Sequence, residues 1–299
     1  MLVLNNKSQY KPADFRSANL FLSLKGGVGK TAEALLVAAS HRINLKRKLM
    51  TDAQLENGGK VPPGVEATID IEVANKIKNT GYIDCDKNLS DFYNAFALKD
   101  KDGSVLPESK QPSNIIKIDT SSASQRKAFV DVAYEDFMVL FYNIKADDTA
   151  SIKALTDPKD IAEMISEAGY NAVNLWMPIS SDRETLDSVN VFYEMFGNTV
   201  NYIASYNRHY MKADDPYSME AVFKGKHKIP DYKSPYNELQ SQGLLKEIVI
   251  PDLTHELYKD LRQARLNMSE VTKENMGPFN AGAISRVVNR FADQIIDII

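Results

Sequence analysis

Short apolar runs alternate with helical patterns along most of the chain, and this alternation predicts the fold. Strand-like runs stand at residues 20–24, 46–51, 114–118, 136–142, 171–176, 200–206 and 246–250. Helical spacing appears at residues 32–39, 71–78, 89–98, 159–168, 183–196, 234–242, 253–266 and 281–299. Such an order is typical of an α/β fold with a doubly wound, mostly parallel sheet and helices on both faces. No linker divides the chain, so we expect an N-terminal extension, residues 1–18, and one domain, residues 19–299.

Composition narrows the class of protein. The chain has 299 residues, of which 43% are hydrophobic and 25% charged, as in an ordinary globular domain. We find no apolar run of about 18 residues for a membrane span, and the polar first 19 residues lack the core of a signal peptide. A single cysteine, Cys85, excludes an intrachain disulfide framework and indicates a cytoplasmic protein. With a net charge of −4, any contact with DNA would need a local basic patch.

A glycine-rich loop stands between the first predicted strand and the first predicted helix. Its residues are Lys25, Gly26, Gly27, Val28, Gly29, Lys30 and Thr31, with Ala32 next. Glycines allow successive backbone N–H groups to converge on phosphate oxygens, and the positive end of the helix dipole faces the same anion. The loop therefore predicts a nucleotide site in which Lys30 contacts the β and γ phosphates and the Thr31 hydroxyl completes the Mg²⁺ shell.

The loop departs from the common phosphate-binding pattern G-x-x-x-x-G-K-[ST], because Leu24 replaces the first glycine and Lys25 precedes the paired glycines. In this it resembles the deviant Walker A loop, K-G-G-x-G-K-[ST], of the ParA/MinD superfamily of dimerising ATPases. The resemblance implies a P-loop ATPase that binds ATP and Mg²⁺, forms a homodimer with ATP and resets by hydrolysis. It also implies that Lys25 reaches the partner's nucleotide and acts like an arginine finger.

Two aspartates that follow predicted strands resemble acidic positions of the family. Residues 118–121, I-D-T-S, resemble its I-D-T-P-P segment, which implies that Asp119 supports magnesium; capping of the next helix is the alternative. A rival strand at 136–141 resembles the same segment's apolar lead-in but ends in Phe141 instead of a carboxylate. Residues 50–54, M-T-D-A-Q, resemble the switch I segment D-x-D-P-Q, whose second aspartate orients the attacking water. This implies a catalytic role for Asp52, with a solvated loop aspartate as the alternative.

Later segments extend the resemblance from about residue 20 to the end of the chain, although it is faint between residues 55 and 113. Asn207 and Arg208 resemble a V-x-L-N-[RK] segment whose asparagine reads the adenine edge, since an amide offers both a donor and an acceptor. An asparagine that ends a strand in a turn is the alternative. Pro251 and Asp252 stand where the family's I-P segment packs on the base.

The resemblance leaves the cargo open. A ParA-like role implies nonspecific DNA, a partner protein that stimulates an otherwise slow hydrolysis, and a place at the nucleoid. Candidate DNA contacts are basic residues, for which solvated helix faces are the alternative: Lys224, Lys226, Lys228, Lys259, Arg262, Arg265, Arg286 and Arg290.

Other cargoes and another class of protein stay possible. A MinD-like role would place the apolar stripe of the last helix on a membrane, but Asp293 and Asp297 in its terminal turns favour packing on the sheet. The chain also faintly resembles accessory ATPases of conjugative transfer. Finally, the altered switch I is compatible with a nucleotide-gated binding protein that has little turnover.

Overall fold

The computed structural model describes residues 14–86, 90–145, 157–180, 185, 187–208, 236–252 and 254–299, and its centre is a parallel sheet. The seven strands are β1 (Ser17–Phe21), β2 (Thr80–Asp84), β3 (Ile115–Lys117), β4 (Val139–Asn143), β5 (Ala172–Ile179), β6 (Asn201–Asn207) and β7 (Leu245–Ile250). Their order across the sheet is β3-β2-β4-β1-β5-β6-β7, and each pair is parallel. The winding reverses at β1, and ligands of such sheets bind beyond the carboxyl ends of the strands at this point.

Helices connect the strands and cover both faces of the sheet. They are α1 (Lys30–Glu56), α2 (Val65–Ile77), α3 (Asp91–Phe96), α4 (Ala123–Asp131), α5 (Pro158–Glu167), α6 (Ser188–Phe196), α7 (Tyr236–Ser241), α8 (His255–Ala264) and α9 (Lys273–Ile295). The core beneath α4, α5 and α6 contains Phe129, Ile161 and Phe192. The core on the other face contains Leu36 of α1 and Phe291 of α9. These two layers confirm the predicted α/β class.

A row of buried amides fixes the register of the central strands. The Asn19 side chain accepts hydrogen bonds from Asn174 Nδ2 (3.0 Å) and Trp176 Nε1 (3.0 Å) and donates to Leu140 O (3.2 Å). Asn174 in turn accepts from Asn201 Nδ2 (3.0 Å). Because a shift of one residue would turn these amides to the opposite face, the row favours one pairing across β4, β1, β5 and β6.

In the first third of the chain, one predicted strand is wrong and one observed strand was not predicted. Residues 46–51 do not form a strand, because α1 continues through them to Glu56. Lysine, arginine, leucine and methionine are good helix formers, and neither glycine nor proline interrupts the segment. The second strand is instead β2, which the apolar pattern misses because Gly81 and Asp84 interrupt it. Gly81 is needed there: a Cβ at this position would lie 2.6 Å from Leu140 Cδ2 of β4.

The apolar stripe of the last helix packs on the sheet, as its acidic neighbours suggested. Val288, Phe291 and Ile295 are buried, and α9 is joined to α1 by hydrogen bonds from Ser40 Oγ to Val288 O (3.3 Å) and from Asn44 Nδ2 to Ala292 O (2.8 Å). Within the ranges that the structure describes, no helix is long and apolar enough to cross a bilayer.

Candidate nucleotide-binding site

The glycine-rich loop leads from β1 into the first turn of α1, as predicted. Gly27 and Gly29 have φ angles of 78° and 89°, a left-handed conformation that glycine adopts without strain. Gly29 is the N-cap of α1, and no side chain caps this helix end. The first amide groups of α1 therefore point toward the loop with the positive end of the helix dipole behind them, an arrangement suited to an anion.

Lys30 and Thr31, the first two residues of α1, converge on one oxygen atom of β4. Lys30 Nζ lies 2.9 Å from Asn143 Oδ1, and Thr31 Oγ1 lies 3.4 Å from the same oxygen. Lys30 is only 7% exposed. Burial lowers the pKa of Lys30, while the carboxylates of Asp84 and Asp86 favour its charged form. The ammonium group thus lies in a buried site with two acids nearby.

Asp84 ends β2 and is completely buried. Its Oδ1 accepts hydrogen bonds from Asn143 Nδ2 (2.9 Å) and the Asp86 backbone N–H (3.1 Å), and its Oδ2 accepts from the Tyr93 N–H (2.9 Å). Burial raises the pKa of Asp84, whereas these hydrogen bonds and the Lys30 charge act against that rise. The three donors hold the carboxyl group in one orientation.

Asn143 connects these groups. It ends β4, the strand beside β1, and its register partners are Phe21 of β1 and Asp84 of β2. Its amide oxygen faces Lys30 and Thr31, while its amide nitrogen faces Asp84. The rival strand that the sequence placed second is therefore the one beside the loop, and it ends in an amide two residues after Phe141.

Asp119 stands one strand further from the loop than Asp84, next to Ile118, whose N–H donates to Asp84 O (3.0 Å), and its role as the magnesium carboxylate stays a prediction. Asp119 follows β3 at the edge of the sheet, three strands from β1 and so about 14 Å to the side. Its Oδ1 accepts hydrogen bonds from the backbone N–H (3.1 Å) and the hydroxyl (2.5 Å) of Ser121, in the turn before α4. This geometry fits the alternative of a local role at the start of that helix.

Asp52 is also far from the loop, so the prediction that it positions water is wrong. It lies in α1, 22 residues after Lys30, which corresponds to about 33 Å along the helix axis. Asp52 instead lines a cavity of about 490 Å³ at the amino ends of the strands, together with His41, Thr80 and Ile296. The cause of the error is the continuation of α1 through the segment that resembled a second strand.

The D-x-D spacing that residues 50–54 match only in part occurs at Asp84 and Asp86. Both are buried, and both carboxylates favour the charged form of Lys30. The signal was present in the sequence, because two acids one residue apart follow Tyr82 and Ile83. It was missed because no strand was expected at residues 80–84. Asn143 was missed for a different reason, since only a carboxylate was sought at the end of that strand.

Asn207 lies at the loop, as expected from its place in the chain. It ends β6, is 5% exposed, and its Nδ2 donates a hydrogen bond to Val28 O (3.1 Å). Pro251 and Asp252 follow directly after β7, whose last residue, Ile250, is the register partner of Asn207. All three residues therefore stand at the carboxyl edge of the sheet on the β6–β7 side of the loop. Their contact with a nucleotide base stays a prediction.

Lys25 and Glu33 complete the surroundings of the loop. Lys25 is half-buried, and its backbone oxygen accepts a hydrogen bond from Ser23 Oγ (2.6 Å). Glu33, one turn after Lys30, is completely buried, and this burial raises its pKa to about 8 against the opposing effects of Ser205 and Lys30. Glu33 is therefore largely protonated at neutral pH, so it adds little negative charge beside the loop.

The donor set fits magnesium that is bound together with a nucleotide. The Thr31 hydroxyl, the Asn143 amide oxygen and the Asp84 and Asp86 carboxylates are the hard oxygen ligands that Mg²⁺ accepts. Among the described residues, no group of three or more His, Cys, Asp or Glu side chains could hold a metal by itself. Magnesium commonly binds through one or two protein groups plus phosphate oxygens and water, and the four groups of this cluster can supply that number.

Comparison with known proteins leaves the family open. No family model matches the chain, and no curated protein matches it. Among solved structures, the chain is similar to a nucleotide-binding protein from Archaeoglobus fulgidus in complex with ADP, with cobalt present. The two are 14% identical, the alignment covers 89% of this chain and 92% of the other, and the TM-score is 0.38. The assignment of the site therefore rests on the geometry of its residues.

Proposed function

We propose that the protein binds ATP with Mg²⁺ at the glycine-rich loop and hydrolyses it as a dimerising ATPase of the ParA/MinD type. The observation that carries this proposal is the convergence of Lys30 and Thr31 on the end of β4. Both residues lie in the first turn of α1, whose N-cap, Gly29, has no side chain to cap the helix. A buried lysine at the N-terminus of a helix, beside a hydroxyl and two acids, is an arrangement suited to phosphate and magnesium.

Each residue has a role in this proposal. The amides of Gly26–Ala32 and the Lys30 ammonium group bind phosphate, while Asn207, Pro251 and Asp252 bind the base. Mg²⁺ would contact the Thr31 hydroxyl and neutralise charge on the phosphates. Asp84 would orient its water ligands, and Asp86 takes over from Asp52 the orientation of the attacking water. Lys25 acts on the nucleotide of the partner in an ATP-bound dimer.

Segregation or positioning of DNA is the cargo role that we propose, with a partner protein that stimulates hydrolysis. The structure reduces the basic patch, because Arg262 forms an ion pair with Asp91 (2.8 Å) and Arg265 donates to Gly103 O (3.4 Å). Lys259, Arg286 and Arg290 remain exposed on α8 and α9. Lys224, Lys226 and Lys228 lie outside the described residues. Positioning of a protein or membrane cargo, including a role in conjugative transfer, is the alternative.

A nucleotide-gated binding protein with little turnover is the second candidate function. The specific observation in its favour is Asn143, which places a neutral amide at the end of the strand beside β1. With fewer acids around the phosphates, nucleotide binding can persist while activation of water is weakened. Measured binding without measurable hydrolysis, even with DNA added, would favour this function.

The first test is binding of a fluorescent ATP analogue to wild type and Lys30→Ala, with Lys46→Ala as the control. Lys46 lies on the same helix but is exposed and pairs with Asp70 (2.6 Å). Loss of a charge-assisted contact to phosphate corresponds to about 1.5–3 kcal/mol, so Lys30→Ala should bind about 10–100-fold more weakly. The control should match wild type. Equal binding by Lys30→Ala and wild type would contradict the site.

The second test measures binding to nonspecific duplex DNA with ATP, with ADP and without nucleotide, across a series of salt concentrations. We expect binding with ATP alone, weakening steeply as salt rises. Arg286→Ala combined with Arg290→Ala should weaken it, whereas Lys76→Ala combined with Lys78→Ala removes equal charge at the C-terminal end of α2 and should not. The absence of binding in every nucleotide state would exclude the DNA role and leave the other cargoes.

A further inference from the structure

Asn143 stands in a position where an acid would be expected and makes a set of contacts that an ionised acid could not make. Its Oδ1 accepts from Lys30 and Thr31, while its Nδ2 donates to Asp84 Oδ1 over 2.9 Å. An amide provides an acceptor and a donor on one planar group at this length of side chain, whereas an ionised carboxylate can only accept. Asn143 therefore connects a buried cation to a buried carboxylate.

A carboxylate at residue 143 would conflict with Asp84. Two carboxylate oxygens would then lie near 2.9 Å from each other in a place where both side chains are almost fully excluded from water. Like charges at this separation are strongly unfavourable in a medium of low dielectric constant. The cluster accommodates one ionised carboxylate on this pair of strands, and in this chain that carboxylate is on β2.

We propose that Asn143 is the positioning residue of the nucleotide site, and that it allows β2 instead of β4 to supply the acid that supports magnesium. Asn143 orients the Asp84 carboxylate and offers Lys30 and Thr31 a neutral acceptor. Phosphate and magnesium replace this acceptor without having to separate an ion pair. This inference rests on the proposed function, since it names the residues that set the magnesium dependence of that same site.

A role in packing alone predicts a different outcome. Asp84 also accepts hydrogen bonds from the Tyr93 and Asp86 backbone N–H groups, so its carboxylate stays partly held without Asn143. If Asn143 only filled space, its replacement would change the stability of the fold but not the ratio between nucleotide affinity with and without Mg²⁺. That ratio therefore separates the two roles.

The test exchanges the two side chains. Binding of a fluorescent ATP analogue is measured with excess Mg²⁺ and with EDTA for wild type, Asn143→Asp, Asp84→Asn and the double variant Asn143→Asp/Asp84→Asn. Asn57→Asp, at the exposed C-terminal end of α1, is the control for added charge. We expect each single variant to lose roughly tenfold of the Mg²⁺-dependent gain in affinity, and the double variant, which carries the acid on β4, to recover most of it.

The outcomes separate this inference from the proposed function. If wild type does not bind the analogue, the proposed function fails and the inference fails with it. If wild type binds and the double variant is no better than the weaker single variant, only the inference is overturned.

Asn143→Ala provides a second measurement that does not depend on the folding of the exchanged pair. It should bind the analogue with a reduced Mg²⁺ gain, whereas the full wild-type gain would overturn the inference. Thermal unfolding of every variant reports any separate effect on the fold.

Discussion

The two ends of helix α1 carry similar residue types in opposite environments. At the first turn, Lys30 is buried and connected through Asn143 to the buried Asp84. Four turns later, Lys46 pairs with Asp70 at the surface, where their side chains are 45% and 59% exposed. Water screens charge at the surface and is almost absent at the first turn, so the same residue types have different energies and different uses.

This comparison shows which charged residues of α1 are suited to chemistry. A buried acid or base needs specific hydrogen bonds and has a shifted pKa, as at Lys30 and Asp84, and such shifts are concentrated at functional sites. An exposed ion pair usually adds about 0.2–1 kcal/mol to the free energy of unfolding, so its residues tolerate substitution. Asp52 lies toward the second end of the helix, which is why its resemblance to switch I does not translate into a site.

The largest expected effect concerns Lys25, at the loop that precedes the first end. Lys25→Ala should leave ATP binding by the monomer nearly unchanged, because Lys30 and the loop amides remain. It should abolish ATP-dependent dimerisation and turnover, since the proposed contact is with the partner's nucleotide. Sedimentation with ATP and phosphate release measure the two effects. Unchanged hydrolysis in this variant would contradict the deviant-loop assignment.

The next effect compares Asp84, which lies near the first turn of α1, with Asp70, which pairs with Lys46 further along that helix. Asp84→Ala leaves the Asn143 amide and the Tyr93 and Asp86 N–H groups without their acceptor, and we expect a loss of about 3 kcal/mol in the free energy of unfolding. Asp70→Ala removes only a surface pair and should lose less than about 1 kcal/mol. Urea unfolding of both variants checks the difference, and equal losses would break the comparison.

A smaller effect concerns pH. Burial raises the pKa of Glu33 from 4.5 to about 8, so between these values the folded chain keeps a proton that the unfolded chain has lost. The free energy of unfolding should therefore fall as pH rises, by up to about 1.4 kcal/mol per pH unit, and level off above pH 8. Below pH 6.5 the opposite effect of His41 is superimposed, because burial lowers its pKa to about 4.

The range from pH 6.5 to 8 therefore avoids the titration of His41. Unfolding by urea across this range should show the slope in wild type and not in Glu33→Gln, which keeps the size of the side chain and cannot ionise. A wild-type slope that persists in the variant would assign the pH dependence to other groups.

The smallest effect is expected at the second end of α1. Asp52→Ala should change the affinity for the ATP analogue by less than about twofold, because some 33 Å of helix separates it from Lys30. The same titration as for Lys30→Ala measures it. A loss of tenfold or more would show that the two ends of the helix are coupled through the fold.

Much of the fold follows from local patterns. Apolar runs in the sequence predicted β1, β3, β4, β5, β6 and β7 to within a few residues, because strands buried on both faces of a sheet are continuously apolar. β2 was missed because Gly81 and Asp84 interrupt its apolar pattern. Gly81 is required by its close approach to Leu140, and Asp84 accepts a hydrogen bond from Asn143. Both residues break the apolar pattern for reasons that lie in other strands.

The sequence by itself determined the loop, the helix that follows it and the alternation of strands and helices. These features depend on the conformational freedom of Gly27 and Gly29, on helix propensity and on hydrophobic spacing, all of which act between residues close in the chain. Only the tertiary structure decided which acids lie beside the loop. The order of strands across the sheet places β4 and then β2 next to β1 and moves β3 to the edge, so Asn143 contacts both Lys30 and Asp84 while Asp119 lies one strand further from the loop. That order is set by how the helices pack on both faces of the sheet, and no local pattern in the chain records it.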